Sequence, residues 1–299
     1  MKVLLIIAPF PSAPFAAAVQ ALSPEIELLN YAPDLGDAQL ADVEVVLAWQ
    51  LPPGIAARLP RLRWVCSVAA GVEKLLVPDL AVAVPVSRIV DPAQSKGIAQ
   101  FVALMALRHA RQLPLYEAQQ QTRQWVRHPI AAVDSTVAVL GMGEMGREVA
   151  RLLDAVGFAV RGWSRSQGGP LEDVLGAART VVCALPLTAA TQGLLDARRF
   201  AQMPRGAYLI NIARGGHVVE ADLIAAVRSG QLGGAALDVQ QLEPLPADDP
   251  LWSVEGITVT PHIAAQSSMQ TIAAQFVAGY GCLQRGEALP NLVDRDRGY

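Results

Sequence analysis

The stretch "TVAVLGMGEMGREVARLL", residues 136–153, decides how this chain is read. Its first five residues form a short apolar run suited to a strand buried on both faces. Glycines follow at 141, 143 and 146, and the remainder carries apolar residues at helical spacing. G-x-G-x-x-G alone is a weak signal; it gains weight by leaving a strand and opening a helix. Gly141 permits a tight turn, Gly143 lets a phosphate approach the backbone, and Gly146 lets helix and strand pack closely. The helix start then presents free N–H groups and a partial positive charge. The stretch predicts a phosphate cradle in a dinucleotide-binding sheet, with Glu144 and Met145 inside the loop.

Working outward, further short apolar runs follow at "FAVRGW", "TVVCALP", "AYLINIA", "GGAALDV" and "GITVTPH", most of them separated by helix-like segments. This is the pattern of a doubly wound Rossmann sheet. After the second strand, where a carboxylate usually holds the adenosine ribose, stands "WSRSQ". Ser164, Arg165 and Ser166 offer a cation and two hydroxyls. A guanidinium forks onto a 2′-phosphate that a carboxylate would repel. NADP(H) is therefore the expected cofactor, with NAD(H) possible.

Upstream, "KVLLIIA", "EIELLN", "VEVVLAWQ" and "LRWVCSVAA" read as strands of another parallel α/β sheet, alternating with helical or Pro- and Gly-bearing segments. Residues 97–121 read as one apolar helix, or two joined near Pro114, carrying His109 as a packed histidine. The expected division is a flavodoxin-like domain of residues 1–96 plus 267–299, discontinuous in sequence, and a Rossmann domain of residues 97–266.

Composition narrows the class. Hydrophobic residues make up 52% and charged residues 17% of 299, with a formal net charge of -3. The chain is globular, and nothing in its charge favours nucleic acid. "VLLIIA" near the start is too short for a leader's apolar core and is closed by Pro9 and Pro11, so it reads as a buried strand. No run approaches the roughly 18 apolar residues of a membrane span. Cys66, Cys183 and Cys282 are scattered, with no CxxC pair and no His/Cys cluster. They read as free thiols in a reducing, cytoplasmic setting, with no metal site.

Three later segments carry the chemistry: "NIARGGHVVE", "ALDVQQLEPLP" and "TPHIAA", each at a strand end. With "GMGEMG", the "AAGVEKLL" loop, "WSRS", "DPLW" and the closing "VDRDRGY", the chain resembles the D-isomer-specific 2-hydroxyacid dehydrogenase family over nearly its whole length. Within that family it is similar to bacterial glyoxylate/hydroxypyruvate reductases of the A type. The resemblance implies Arg214 as substrate arginine, Glu243 as carboxylate partner and His262 as acid/base. It also implies that Ala70 and Gly71 bind the substrate carboxylate, and that Leu185, Pro186, Ala213 and Asp238 line the cofactor site. Trp49, at a strand end, is a candidate pocket wall. The residue types suit the task. A histidinium protonates oxygen as charge forms, a neighbouring carboxylate keeps the ring protonated, and an arginine stabilises charge without losing its own proton.

The implied activity is NADPH-dependent reduction of a short 2-keto acid, glyoxylate or hydroxypyruvate, by a homodimer. Two alternatives stand beside it: a dehydrogenase for a bulkier D-2-hydroxy acid, and a non-catalytic dinucleotide-sensing, corepressor-like protein. Departures from the family pattern are Gln240, where an aromatic is common, Gln100, where an acid is frequent, and Glu144, an acid that is mildly unfavourable near phosphates unless it points away. His217 reads as a brace for the Arg214 loop and His128 as a surface residue.

Overall fold

The amino-terminal apolar runs become β1 (Lys2–Ile6), β2 (Glu27–Asn30), β3 (Val43–Ala48) and β4 (Trp64–Ser67). A two-residue strand, β5 (Val86–Ser87), joins them; it is too short to leave a period in the sequence. All neighbouring strands are parallel, in the order β2-β1-β3-β4-β5, which is the flavodoxin-like order. The computed structural model describes residues 1–129, 135–295 and 298; Asp296, Arg297 and Tyr299 of the closing motif lie outside the described residues.

This sheet belongs to a unit made of Met1–Asp91 and Ser267–Tyr299. Helices α1 (Ala13–Leu22) and α9 (Met269–Arg285) cover one face, burying Phe15, Val19, Ile272 and Phe276 against Val3, Leu5, Val45 and Trp64. Phe276 stacks on Trp64 with centroids 5.4 Å apart. The short α2 (Asp37–Leu40) contributes Leu40 to the opposite face, beside Leu4, Val46 and Leu75. The returning tail is tied down by Arg295, whose guanidinium donates to the carbonyls of Leu80, Ala81, Val82 and Val84.

The second unit, Pro92–Gln266, holds a six-stranded parallel sheet. Its strands are β6 (Thr136–Leu140), β7 (Ala159–Trp163), β8 (Thr180–Cys183), β9 (Ala207–Asn211), β10 (Leu232–Leu237) and β11 (Ile257–Val259). Their order is β11-β10-β9-β8-β6-β7. The chain leaves β6 for β7 and then returns to β6's other side at β8, so the order reverses at the strand that feeds the glycine loop. Ligands of open α/β sheets bind at such a switch point.

Helices α3 (Pro92–Ala110) and α5 (Glu144–Ala155) cover one face, with Ile98, Val102, Val149 and Leu153 on Val137, Val139 and Ile210. On the other face lie α6 (Leu171–Ala177), α7 (Ala197–Gln202) and α8 (Glu220–Arg228), with Leu175, Phe200 and Leu223 on Leu140, Val181 and Leu209. The apolar segment expected at 97–121 is two helices, beginning at Pro92. It breaks at Gln112, a left-handed residue with φ 54°, and α4 (Leu113–Gln121) restarts with Pro114 in its first turn. Proline has no N–H to donate within a helix, so a fresh first turn accommodates it.

The helix of the glycine motif lies against its own loop. A Cβ on Gly146 would sit 1.7 Å from the Gly141 carbonyl oxygen. Gly146→Ala is expected to destabilise the protein by about 1–3 kcal/mol through overpacking. An unchanged urea midpoint would contradict this packing.

Candidate active site

The glycine loop has the form that a pyrophosphate requires. Gly141 is left-handed, φ 101°, and a Cβ there would meet the Ala184 carbonyl at 2.5 Å. Gly143 is the N-cap of α5, and a Cβ on it would meet nothing within 4 Å, so the backbone is open to an approaching group. The first-turn N–H groups of α5 lack partners within the helix and suit an anion. Glu144, which looked unfavourable beside phosphates, pairs instead with Arg147 at 2.9 Å. Arg147 also donates to the Met142 carbonyl. The acid is thereby neutralised one turn into the helix.

Beyond β7, Ser164 and Gln167 exchange backbone hydrogen bonds of 2.8 and 3.1 Å. That tight turn places Arg165 and Ser166 at its exposed corner, with the Ser164 and Ser166 hydroxyls 3.3 Å apart. Among the described residues, no carboxylate pairs with Arg165. Leu185 and Pro186 follow β8; Leu185 is buried, and the Pro186 carbonyl accepts from the Thr191 hydroxyl at 2.7 Å. These residues fit a dinucleotide carrying a 2′-phosphate.

The three chemical residues leave adjacent strands of the same sheet. Arg214 follows β9 on a loop built by the buried Asn211. Its Oδ1 accepts from Ala213 N–H at 3.1 Å, and its Nδ2 donates to the Arg214 carbonyl at 3.0 Å. His217 is fully buried, with Nδ1 3.0 Å from the Arg214 carbonyl and Nε2 3.3 Å from that of Pro186, so it braces this loop. The Arg214 guanidinium donates to the Ala213 carbonyl at 2.6 Å.

Glu243 and His262 lie on the loops after β10 and β11. His262 Nδ1 is 3.0 Å from Glu243 Oε2, and the two side chains are 36% and 35% exposed. Burial pushes the Glu243 carboxyl up. The hydrogen bonds from His262 and the Gln240 N–H, with the charges of His262 and Arg214, outweigh it and hold the group below its ordinary range. With Nδ1 on the carboxylate, Nε2 is the ring atom left to exchange a proton.

His262 has φ 55°, the left-handed region, which costs a non-glycine residue about 1–2 kcal/mol. Several bonds impose that conformation. His262 N–H donates to the carbonyls of Asp238 (2.9 Å) and Thr260 (3.0 Å). The buried Asp238 carboxylate accepts from the Thr260 hydroxyl (2.7 Å) and from the N–H groups of Ile263 and Ala264 (2.9 Å each). Pro261 restricts Thr260 to extended backbone. On the far side of the loop, a Cβ on Gly97 of α3 would lie 2.8 Å from that of Ala265.

In the first unit, Ser67 Oγ accepts from Ala69 N–H and donates to the Gly71 carbonyl, shaping the loop after β4. Among the described residues, the N–H groups of Ala70 and Gly71 have no hydrogen-bond acceptor. Trp49 follows β3 beside this loop, with Lys74 Nζ 5.4 Å from its ring centroid and Phe10 edge-on at 5.2 Å. His109 stacks on Tyr208 at 4.2 Å, and burial lowers its pKa. His128, expected at the surface, is half-buried, with Nε2 2.6 Å from Gln119 Nε2. Cys66 and Cys183 are buried, and desolvation pushes both thiols up to about 12.

Asn211 and Thr260 escaped the sequence reading. Asn211 had a usable signal, since an asparagine three residues before the arginine has the spacing of a side chain that caps its own turn. Thr260 had none, because its partner Asp238 is 22 residues away.

Fold and site together define a dinucleotide-dependent oxidoreductase built from two parallel α/β units. The chain belongs to the D-isomer specific 2-hydroxyacid dehydrogenase family, whose NAD binding domain model matches residues 103–264. A glyoxylate/hydroxypyruvate reductase A from Yersinia enterocolitica is 36% identical over 282 residues, covering 88% of this chain and 90% of that protein. A D-isomer specific 2-hydroxyacid dehydrogenase from Xanthobacter autotrophicus Py2, solved with NADPH and MES, is 39% identical with a TM-score of 0.90, over 100% of this chain and 99% of the other. An NADPH-dependent glyoxylate/hydroxypyruvate reductase from Sinorhizobium meliloti, solved with NADP and sulfate, is 32% identical with a TM-score of 0.91 and the same coverage.

The lowered Glu243 pKa fixes the sign of a pH effect. A depressed carboxylate contributes stability that is present above its ordinary pKa and lost as pH falls through the folded value. The stability of wild type relative to Glu243→Gln should therefore be present above the ordinary value of 4.5 and shrink as pH falls below it. Urea midpoints measured across acid pH test this, and a pH-independent difference would contradict it.

Proposed function

We propose that the protein reduces a short 2-keto acid, glyoxylate or hydroxypyruvate, with NADPH. The Glu243–His262 pair, with Arg214 within electrostatic reach, is the observation that carries this reading. A binding protein has no need of an acid/base paired to a carboxylate.

In this mechanism the bound nicotinamide supplies the hydride to C2 of the keto acid. His262 gives the proton on Nε2 to the carbonyl oxygen as charge gathers there, and Glu243 stabilises the imidazolium through Nδ1. Arg214 stabilises the same oxygen and the substrate carboxylate, keeping its own proton throughout. The N–H groups of Ala70 and Gly71 are assigned to the carboxylate, and Trp49 to a pocket wall. Gly141, Gly143, Met145 and Gly146 cradle the pyrophosphate, while Leu185, Pro186 and Ala213 line the cofactor. Asp238 spends three of roughly four lone-pair sites on the His262 loop, which leaves one for the nicotinamide amide. Ser164, Arg165 and Ser166 take the 2′-phosphate. In the reverse direction, neutral His262 acts as base on the hydroxyl.

We place the protein in the cytoplasm, consistent with three unpaired cysteines. We also propose a homodimer, because the α3–α4 region and the segment after it expose Leu104, Leu113, Leu115, Trp125 and Val126. Sedimentation showing only monomer at micromolar concentration would remove the dimer.

His262→Ala should lower turnover about 10²–10⁴-fold. Near-normal turnover would remove His262 from the mechanism. An NADPH oxidation panel over keto acids of increasing size tests the substrate. Turnover with glyoxylate supports the proposal, turnover only with larger acids points to a bulkier D-2-hydroxy acid, and none with any acid points to a binding protein. Ser164→Asp combined with Arg165→Ala should shift preference from NADPH toward NADH, and an unchanged ratio would sink the cofactor assignment.

A further inference from the structure

We propose that Gln240 is a positioning residue for proton transfer at His262, acting through a polar tie that an aromatic or aliphatic side chain cannot make; this rests on the function proposed above. Gln240 stands two residues after Asp238 and is only 5% exposed. Its Nε2 donates to the carbonyls of Leu237 (3.0 Å) and Thr260 (3.4 Å). One amide thus links the end of β10 to the residue two before His262. The same two carbonyls serve the backbone of the His262 loop: that of Leu237 accepts Thr260 N–H at 2.9 Å, and that of Thr260 accepts His262 N–H at 3.0 Å.

The main chain of Gln240 meets the other two chemical segments. Its N–H donates to Glu243 Oε1 at 3.1 Å, leaving Oε2 for His262 Nδ1. A Cβ on Gly215, the neighbour of Arg214, would lie 1.9–2.3 Å from the carbonyl carbon and oxygen of Gln240 and the nitrogen of Gln241. The Arg214 segment therefore lies flat on the Gln240 peptide. One residue carries the Arg214 loop on its peptide, Glu243 on its N–H and the His262 loop on its side chain.

These roles separate by mutation. The two main-chain contacts survive any substitution that keeps the N–H. Losing the side-chain amide leaves both carbonyls with their backbone donors, so neither becomes an unsatisfied buried acceptor. The expected loss lies in the aim of the imidazole, and a displacement near 1 Å costs catalysis heavily.

Gln240→Met keeps length and volume but removes both donors. It should lower kcat for NADPH-dependent glyoxylate reduction about 10- to 100-fold, with NADPH affinity and melting temperature close to wild type. In a His262→Ala background the same change should have no further effect, because the residue acts through that ring. Wild-type kcat in Gln240→Met, or a loss that persists undiminished alongside His262→Ala, would overturn the proposal. Should Gln240→Met melt well below wild type, kcat measured at a temperature where the variant is fully folded decides instead: the same loss supports the tie and wild-type kcat overturns it. Retained turnover in His262→Ala alone would remove the mechanism itself. An inactive His262→Ala beside a fully active Gln240→Met would remove only the role of Gln240.

Discussion

The buried carboxylate of Asp238 is the constraint on which the chemical half of this site depends. Placing a charge in a dry sheet end is costly unless donors surround it. Here a hydroxyl and two backbone N–H groups do so, all from the five-residue segment Thr260–Ala264. The desolvated charge therefore dictates the path of that segment, and the path forces His262 into a left-handed conformation. The strain at one residue is offset by charge-assisted bonds, which are stronger than neutral ones. It turns the ring so that Nδ1 meets Glu243. The aim of the imidazole is set by the backbone before its own side chain makes any contact.

The cofactor half rests on the opposite device, the absence of side chains. Gly141 and Gly146 are required because their neighbours already occupy the space a Cβ would need; at Gly143 the space is open. The sheet brings both halves to its carboxyl edge, so β6 delivers the phosphate loop while β9, β10 and β11 deliver Arg214, Glu243 and His262. Parallel strands make this possible, since every strand ends at the same edge.

Much of this was legible in the sequence, for identifiable reasons. Apolar runs bounded by turn residues located ten of the strands, and the glycine spacing located the cofactor loop. The runs also placed Arg214, Glu243 and His262 at strand ends. What escaped was non-local or too short. β5 has two residues and no period. The break at Gln112 depends on one left-handed residue that no composition marks, although Pro114 signalled its neighbourhood. Gln240 read only as an amide where the family commonly has an aromatic; its role escaped because its partners, Leu237 and Thr260, offer backbone carbonyls, which have no sequence signature. His128 read as exposed because its partner Gln119 lies nine residues back on another element. Glu144 read as an electrostatic liability because its cancellation depends on which way Arg147 turns.

The proposed proton transfer requires Glu243 and His262 to act as one unit. A double-mutant cycle on kcat/KM for glyoxylate, comparing Glu243→Gln, His262→Ala and both together, measures that coupling directly. If the carboxylate acts only through the ring, the double variant will be no slower than His262→Ala alone. Losses that multiply independently would show that the two residues do not work as a pair, and the mechanism built on them would fall.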